Sequence, residues 1–400
     1  MPRARGSKHP ADGLPRRRVA AIQRRLLRWY AAHRRRLPWR RARPDPYRVW
    51  VAEIMLQQTQ ISTVIPYYER FVARFCNVAA LAAADEEEVL ALWSGLGYYS
   101  RARSLLRSAR LLIERHDGRL PRQRDLLESL PGIGRYTAGA ILSIAFSQPE
   151  PAVDGNVRRV LTRLMLTKQK PVQRSRCQRT AAGRPRRAGA PAPGAGRFSE
   201  PTAAELEVRA RDLVSSVPPA DFNQAIMELG ALVCRPSAPL CATCPLSRVC
   251  EARRLGVQEQ VPSPRKQPAT VRQSRAVALI HNNGRVLVER AFSPGTPRGL
   301  WDLPGTLIPE NSEPRRHLER HLRSQGLGTR VGARLACVEH GITFRRIRCT
   351  AYETVLDGSA LSESPAAGRP ARRWVERSHL RSLPMGSAAR RLLASCRRPI

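Results

Sequence analysis

Four cysteines, Cys234, Cys241, Cys244 and Cys250, follow one another at the spacing C-x6-C-x2-C-x5-C. Thiolates so placed can close around one compact metal centre. The helical stretch before them, residues 222–233, would tie that centre to the end of an α-helical domain. Zinc sites of four thiolates usually pair two short knuckles across a longer gap. The uneven spacing here suits an iron–sulfur cubane better. The competing reading is a buried or disulfide-linked group. The remaining cysteines, Cys76, Cys177, Cys337, Cys349 and Cys396, are scattered without a pairing pattern.

The chain has 400 residues, enough for two or three domains, and a formal net charge of +38. Such a charge says little about fold. It does attract polyanions, with binding that weakens steeply in salt. Part of the arginine excess is compositional, since alanine and proline are abundant too. No apolar run approaches the ~20 residues that span a bilayer. Residues 1–18 are basic, but no apolar segment follows them, so they do not read as a secretory signal. Thiol chemistry of this kind points to a reducing compartment.

Residues 19–167 alternate helical patterns with short breaks: 19–33, 47–58, 61–75, 85–94, and two helices within 120–146. Residues 168–198 change character. They are basic, rich in Gly, Pro, Ala and Arg, and lack hydrophobic period, which reads as a disordered insertion or an electrostatic arm. Helical pattern returns at 201, and 253–273 read as a linker. From 275 the period becomes two. A hairpin turns at Asn282-Asn283-Gly284, further strands are expected at 300–307 and 348–355, and helices at 313–323 and 388–395. An all-α domain is thus expected to precede an α+β domain.

Three segments carry chemistry. Leu130-Pro131-Gly132-Ile133-Gly134-Arg135-Tyr136 reads as helix, turn, helix. Gly132 and Gly134 let a backbone approach a ligand and leave amides free at a helix N-terminus, which together make a phosphate seat. Asp154, in Val153-Asp154-Gly155-Asn156-Val157, precedes a helix. It reads both as an N-cap and as a carboxylate kept ionised to face a developing positive charge. Glu53 lies in an apolar run ending Gln57-Gln58-Thr59-Gln60. Burial there raises a carboxyl pKa and suits a general acid, the alternative being a solvent-facing helix residue. Two carboxylates in opposed environments divide acid from nucleophile or stabiliser roles.

These segments occur in one order with Leu37-Pro38-Trp39-Arg40, Gly95-Leu96-Gly97-Tyr98-Tyr99, Phe222-Asn223-Gln224, Glu228-Leu229-Gly230 and the four cysteines. The order resembles the MutY-type adenine DNA glycosylases of the endonuclease III superfamily, over roughly 19–253 and more weakly to the C-terminus. The resemblance implies a multidomain fold: an all-α helix-hairpin-helix glycosylase domain (19–252) with an iron–sulfur cluster loop, then an α+β Nudix-like domain (274–400). It implies a 4Fe-4S cluster on the four cysteines, and removal of adenine mispaired with 8-oxoguanine or guanine in duplex DNA after the base is flipped. It assigns Glu53 as the acid that protonates adenine N7 and Asp154 as the group that stabilises or transiently bonds the sugar cation. Tyr136 and Asn156 support Asp154. Arg35, Trp39 and Glu228 resemble adenine-pocket residues, and Gln57 supplies an amide near base edges. Gln58, Thr59, Leu96 and Tyr98 resemble the wedge and lesion-strand contacts.

Where bifunctional relatives carry a Schiff-base lysine after Gly-x-Gly-Arg, this chain has Tyr136, whose phenol cannot form an imine. A monofunctional enzyme that leaves an abasic site is therefore expected, with a bifunctional lyase or a catalytically silent DNA-binding homologue as alternatives. The helix at 313–323 lacks the paired glutamates that hold Mg²⁺ in Nudix hydrolases. The lesion-reading loop, often Phe-Ser-His in the family, reads Ile342-Thr343-Phe344, where Thr343 keeps a hydroxyl for the oxidised guanine. The resemblance also implies a monomer with no membrane partner, located in the cytoplasm.

Overall fold

The computed structural model describes residues 14–168, 198–263, 268–290, 299–342, 344–357 and 370–396. The helices of the first 256 residues are α1 (Arg16–His33), α2 (Pro46–Leu56), α3 (Ile61–Arg74), α4 (Val78–Ala82), α5 (Glu86–Trp93), α6 (Ser100–His116), α7 (Arg124–Glu128), α8 (Arg135–Phe146), α9 (Gly155–Leu164), α10 (Ala203–Val214), α11 (Pro219–Leu232) and α12 (Glu251–Leu255). The strand pair β1 (Thr167–Lys168) and β2 (Phe198–Ser199) brackets the basic insertion, whose residues 169–197 lie outside the described residues, as do residues 1–13 of the expected tail. The chain divides into two compact units, residues 1–53 with 120–265 and residues 54–119 with 266–400.

The first unit is helical because its apolar residues recur at helical spacing. In α9, Val157, Val160, Leu161 and Leu164 fall on one face and are buried. They join Ile22, Leu26, Tyr30, Leu213, Phe222, Ile226 and Leu229 in one core. Helix starts are set locally. Asp154 caps α9 by accepting from Val157 N, and Thr202 with Glu205 forms a full capping box on α10. Glycines set how closely elements pass. A Cβ on Gly139 of α8 would lie 2.1 Å from the Pro151 carbonyl oxygen, and one on Gly230 of α11 would lie 2.7 Å from Asn156 Cβ.

The second unit joins α3–α6 to a mixed sheet built from β3 (Val271–Asn282), β4 (Arg285–Arg290), β5 (Trp301–Asp302), β6 (Gly305–Ile308), β7 (Thr329–Ile342), β8 (Arg345–Leu356) and β9 (Arg372–Glu376). The strand order is β5-β4-β3-β8-β7, with β6 paired to β3 and β9 to β4; β3 and β8 run parallel. The two helices α13 (Pro314–Ser324) and α14 (Ser387–Ser395) serve two separate cores. Leu318 and Leu322 pack with Ala276, Ala278 and Ile280, while Ala388, Ala389 and Leu392 pack with Val277 and Leu279. That division is the period-two alternation of β3 expressed as two faces.

Residues 54–119 cluster with the sheet-containing segment, to which Glu87, Ser94 and Tyr99 are hydrogen-bonded. Two expectations shift. The strand expected at 300–307 is two short strands, interrupted at Leu303-Pro304, where Pro304 has no N–H for a ladder. The expected linker 253–273 is entered at both ends by α12 and β3.

Candidate active site

Glu53 sits on the buried side of α2, only 5% exposed, among Val49, Trp50 and Ile54. Tyr136, one residue into α8, donates its hydroxyl to Glu53 Oε2 at 2.7 Å, and Met227 Sδ lies 3.3 Å from the Tyr136 hydroxyl oxygen. Burial pushes the Glu53 carboxyl up to about 7; the Tyr136 bond opposes that rise, the charge of Asp154 adds to it, and Arg40 opposes it. The Tyr136 hydroxyl is itself raised well above its ordinary value, by burial first and then by the charges of Glu53 and Asp154. Tyr136 therefore stands in the field of both carboxylates. It is a phenol that stays protonated at neutral pH and can only donate to an ionised partner.

Asp154 is held by its own helix. Oδ1 accepts Val157 N at 2.6 Å and Oδ2 accepts Asn156 Nδ2 at 2.9 Å. Burial raises the Asp154 pKa above the ordinary aspartate value, and the Val157 and Asn156 donors and Arg159 limit that rise. Asn156 is fixed in turn, because Arg159 Nη2 donates to Asn156 Oδ1 at 2.9 Å and to the Gly230 carbonyl at 2.8 Å. Arg159 Nε donates to the Cys234 carbonyl at 2.8 Å.

Arg35 and Glu228 come together, but onto each other. The Glu228 carboxylate, 1% exposed, accepts Arg35 N at 2.9 Å, Arg35 Nε at 2.8 Å, Arg35 Nη2 at 3.1 Å and Arg40 Nη2 at 2.8 Å. Burial alone would raise its pKa, and these donors bring it below the usual value. Both oxygens are thus engaged by Arg35 and Arg40. Trp39 is buried in the turn before α2.

The hairpin reads as expected in sequence and geometry. Gly132 has φ +83°, a conformation that favours glycine, and Gly134 caps α8 with neither a side-chain bond nor an acid in the first turn. The N-terminal turn of α8 thus carries the positive end of the helix dipole with no acid beside it.

In the other unit, Gln57, Thr59 and Tyr98 are gathered by Arg101, a residue without a sequence signal of its own. Buried on α6, it donates to the carbonyls of Ile54, Met55 and Gln57, to Thr59 Oγ1 at 3.1 Å and to the Gly97 carbonyl at 3.2 Å. Its guanidinium also lies 5.3 Å from the Tyr98 ring centre. Gln58 (φ +57°) and Tyr98 (φ +49°) are left-handed and exposed, whereas Leu96 is buried. Thr343 lies outside the described residues.

Cys234, Cys241, Cys244 and Cys250 are half-buried and free of disulfides. Among the described residues, no group of three or more side chains closes on the position of a single metal ion. The four sulfurs do lie within electrostatic reach of one another, and burial pushes the Cys244 thiol up to about 12. Arg163, fully buried on α9, holds the start of this loop. It donates to Cys234 Sγ at 3.3 Å and to the carbonyls of Arg235, Pro236 and Val261. Arg101 and Arg163 carry no sequence signal that separates them from the other arginines.

The profile of HhH-GPD superfamily base excision DNA repair proteins matches residues 51–182, and the NUDIX domain profile matches residues 276–395. The adenine DNA glycosylase of Homo sapiens is 44% identical over 251 residues, covering 61% of this chain and 41% of that protein. That of Rattus norvegicus is 35% identical over 432 residues, covering 94% of this chain and 77% of the relative. That of Buchnera aphidicola subsp. Schizaphis graminum is 31% identical over 281 residues, covering 69% and 71%. The match thus spans less than half of the human relative's length and more than two thirds of the other two.

Proposed function

The chain belongs to the adenine DNA glycosylases, and from that premise we propose that it removes adenine mispaired with 8-oxoguanine or guanine in duplex DNA and leaves an abasic site. One observation carries the reading: a carboxyl with its pKa near 7 at Glu53 and an anchored aspartate at Asp154, both acting on the hydroxyl of Tyr136.

The chemistry follows from that arrangement. The target adenine leaves the stack and enters the site. Glu53 gives its proton to N7. The C1′–N9 bond then breaks, its electron pair going to the neutralised purine and positive charge to the sugar. Asp154 stabilises or transiently bonds C1′. Water adds at C1′ and its proton passes to the Glu53 carboxylate. A positioned acid of matched pKa contributes on the order of 10²–10⁴ in rate. Tyr136 occupies the place of a Schiff-base lysine, so strand cleavage by imine formation is not available. The N-terminus of α8, with Gly132 and Gly134 before it and no acid in its first turn, seats a backbone phosphate.

Cys234, Cys241, Cys244 and Cys250 would hold a 4Fe-4S cluster. Four half-buried thiols without a disulfide, lying within electrostatic reach of one another, support that reading, and iron bound there would keep them as thiolates. Its chemistry here is structural: it would fix the loop that Arg159 and Arg163 tie to α9.

The test is single-turnover cleavage of duplexes bearing 8-oxoguanine·A, G·A and 8-oxoguanine·C, with and without alkali. Alkali-dependent breaks strongest in the first duplex, absent in the third, and lost in Glu53→Gln with DNA binding retained, are expected. Breaks without alkali, or a borohydride-trapped adduct, would replace this reading with the lyase.

A further inference from the structure

The segment Ser94–Tyr99 is a bent loop between α5 and α6. Gly95, Gly97 and Tyr98 all have positive φ, of 104°, 78° and 49°, and Tyr98 is not a residue that adopts this region without cost. Surrounding bonds hold the bend in place. Trp93 Nε1 and Arg101 Nη2 both donate to the Gly97 carbonyl, at 3.1 and 3.2 Å, and Tyr67 donates to the Ser94 carbonyl at 3.2 Å. A Cβ on Gly95 would lie 2.2 Å from the Tyr67 hydroxyl oxygen.

Both ends of the loop are fastened to one atom far along the chain. Ser94 Oγ donates to the Met385 carbonyl at 2.7 Å, and the Tyr99 hydroxyl donates to the same oxygen at 3.2 Å while accepting Gly95 N at 3.2 Å. Arg390 donates to Ser94 Oγ at 3.0 Å and to the Leu383 carbonyl at 2.7 Å. Met385 cannot drift. It is fully buried in the sheet core with Val277 and Leu279, and it bridges Trp301. Burying a second hydroxyl donor on an already satisfied carbonyl adds little to folding. It does fix where the two ends of a strained loop stand.

We propose that Ser94 and Tyr99 are positioning residues, and that through them the Met385 carbonyl of the Nudix-like domain braces the loop carrying Tyr98, so that this domain sets the geometry of the wedge that extrudes adenine. The proposal rests on the wedge assignment of Tyr98 under the proposed function. A second fastening makes it separable from domain docking. Glu87 accepts Arg373 Nη2 at 2.7 Å, Arg290 Nη2 at 3.1 Å and Trp301 Nε1 at 3.2 Å, and keeps that contact when the brace is cut.

The experiment uses the full chain as parent, Tyr99→Phe, Ser94→Ala/Tyr99→Phe, Ser94→Thr/Tyr99→Phe, Tyr98→Ala and the triple Ser94→Ala/Tyr99→Phe/Tyr98→Ala. A duplex with 2-aminopurine beside the target adenine reports extrusion by fluorescence, and adenine release is followed separately. The double variant is expected to lose about tenfold in extrusion rate, the equivalent of two neutral hydrogen bonds, with duplex affinity little changed. Ser94→Thr restores part of the rate, and the triple variant is expected to extrude no more slowly than Tyr98→Ala alone. A merely structural role would instead give additive losses with Tyr98→Ala, or an extrusion rate equal to the parent's, and either result overturns the brace. Should the double variant be poorly folded, Tyr99→Phe alone, checked by thermal unfolding, carries the same comparison. A parent that extrudes the base but releases no adenine refutes the proposed function and leaves the fluorescence comparison to decide the brace.

Discussion

Glu53 is a carboxyl that the fold charges for. Its pKa stands near 7 in the folded protein and near 4.5 when exposed, because burial outweighs the Tyr136 bond. The unfolded chain therefore releases this proton first. Stability contributed by the neutral form is complete below about 4.5 and is lost as pH rises to about 7, on the order of 3 kcal/mol. Glu53→Gln keeps an acceptor for Tyr136 and removes the ionisation. At pH 8 it is expected to unfold at a higher temperature than the parent while releasing no adenine. An equal or lower midpoint at pH 8 would mean that the acid is not desolvated. The companion change has a definite sign too. Removing the hydroxyl in Tyr136→Phe deletes an interaction that lowers the Glu53 pKa, so the alkaline limb of the single-turnover rate, centred near 7 in the parent, moves to higher pH. A limb that stays in place or moves lower contradicts the assignment of Glu53 as the acid. These residues were legible in the sequence because their chemistry is written in residue type and spacing. Arg101 and Arg163 were not. A buried arginine is chosen by which carbonyls the tertiary fold leaves unpaired, and with Lys and Arg together at 70 residues nothing local distinguishes the few that turn inward.

At the scale of elements, the site depends on how closely α8, α9 and α11 pass. Gly230 belongs to a motif that the sequence singled out, yet its reason appears only in three dimensions: a Cβ there would meet Asn156 at 2.7 Å, and Asn156 holds Asp154. Gly230→Ala must push the first turn of α9 outward. Overpacking of this kind costs about 1–3 kcal/mol, but the catalytic effect should be larger than the loss of stability implies. We expect the single-turnover rate to fall by at least about tenfold under conditions where urea unfolding shows the variant fully folded, with duplex affinity retained. A rate that tracks only the folded fraction would place the Asn156 contact outside the catalytic geometry. The sheet shows the opposite limit of sequence reading. The hairpin at Asn282-Asn283-Gly284 and the helices α13 and α14 follow from turn chemistry and periodicity. By contrast, β7 carries Gly332 and Gly341, several charges, and register shifts between Val331 and Arg334 and again between Arg334 and Ala336. Irregular pairing of that kind erases the alternation by which a strand is recognised.

For the whole molecule, charge and chemistry act at different ranges. The net charge of +38 draws in a polyanion, and between exposed charges it is screened within about 8–10 Å at ordinary salt. The carboxyl of Glu53 is buried, and its pKa is set by desolvation, Tyr136, Asp154 and Arg40. Salt should therefore divide binding from catalysis. If the duplex engages roughly six to ten phosphates, raising salt from about 50 to about 200 mM weakens its dissociation constant by roughly 10³–10⁵. The rate of adenine release from the saturated complex should meanwhile change by less than about twofold, since the reacting groups lie in a desolvated site that counterions screen little. Measuring both on one 8-oxoguanine·A duplex, by filter binding and by single-turnover cleavage at saturating protein, separates the two terms. A saturated rate that falls in step with affinity would mean that the acid is reached by counterions, and the pairing of a desolvated Glu53 with Asp154 would then no longer account for the reaction.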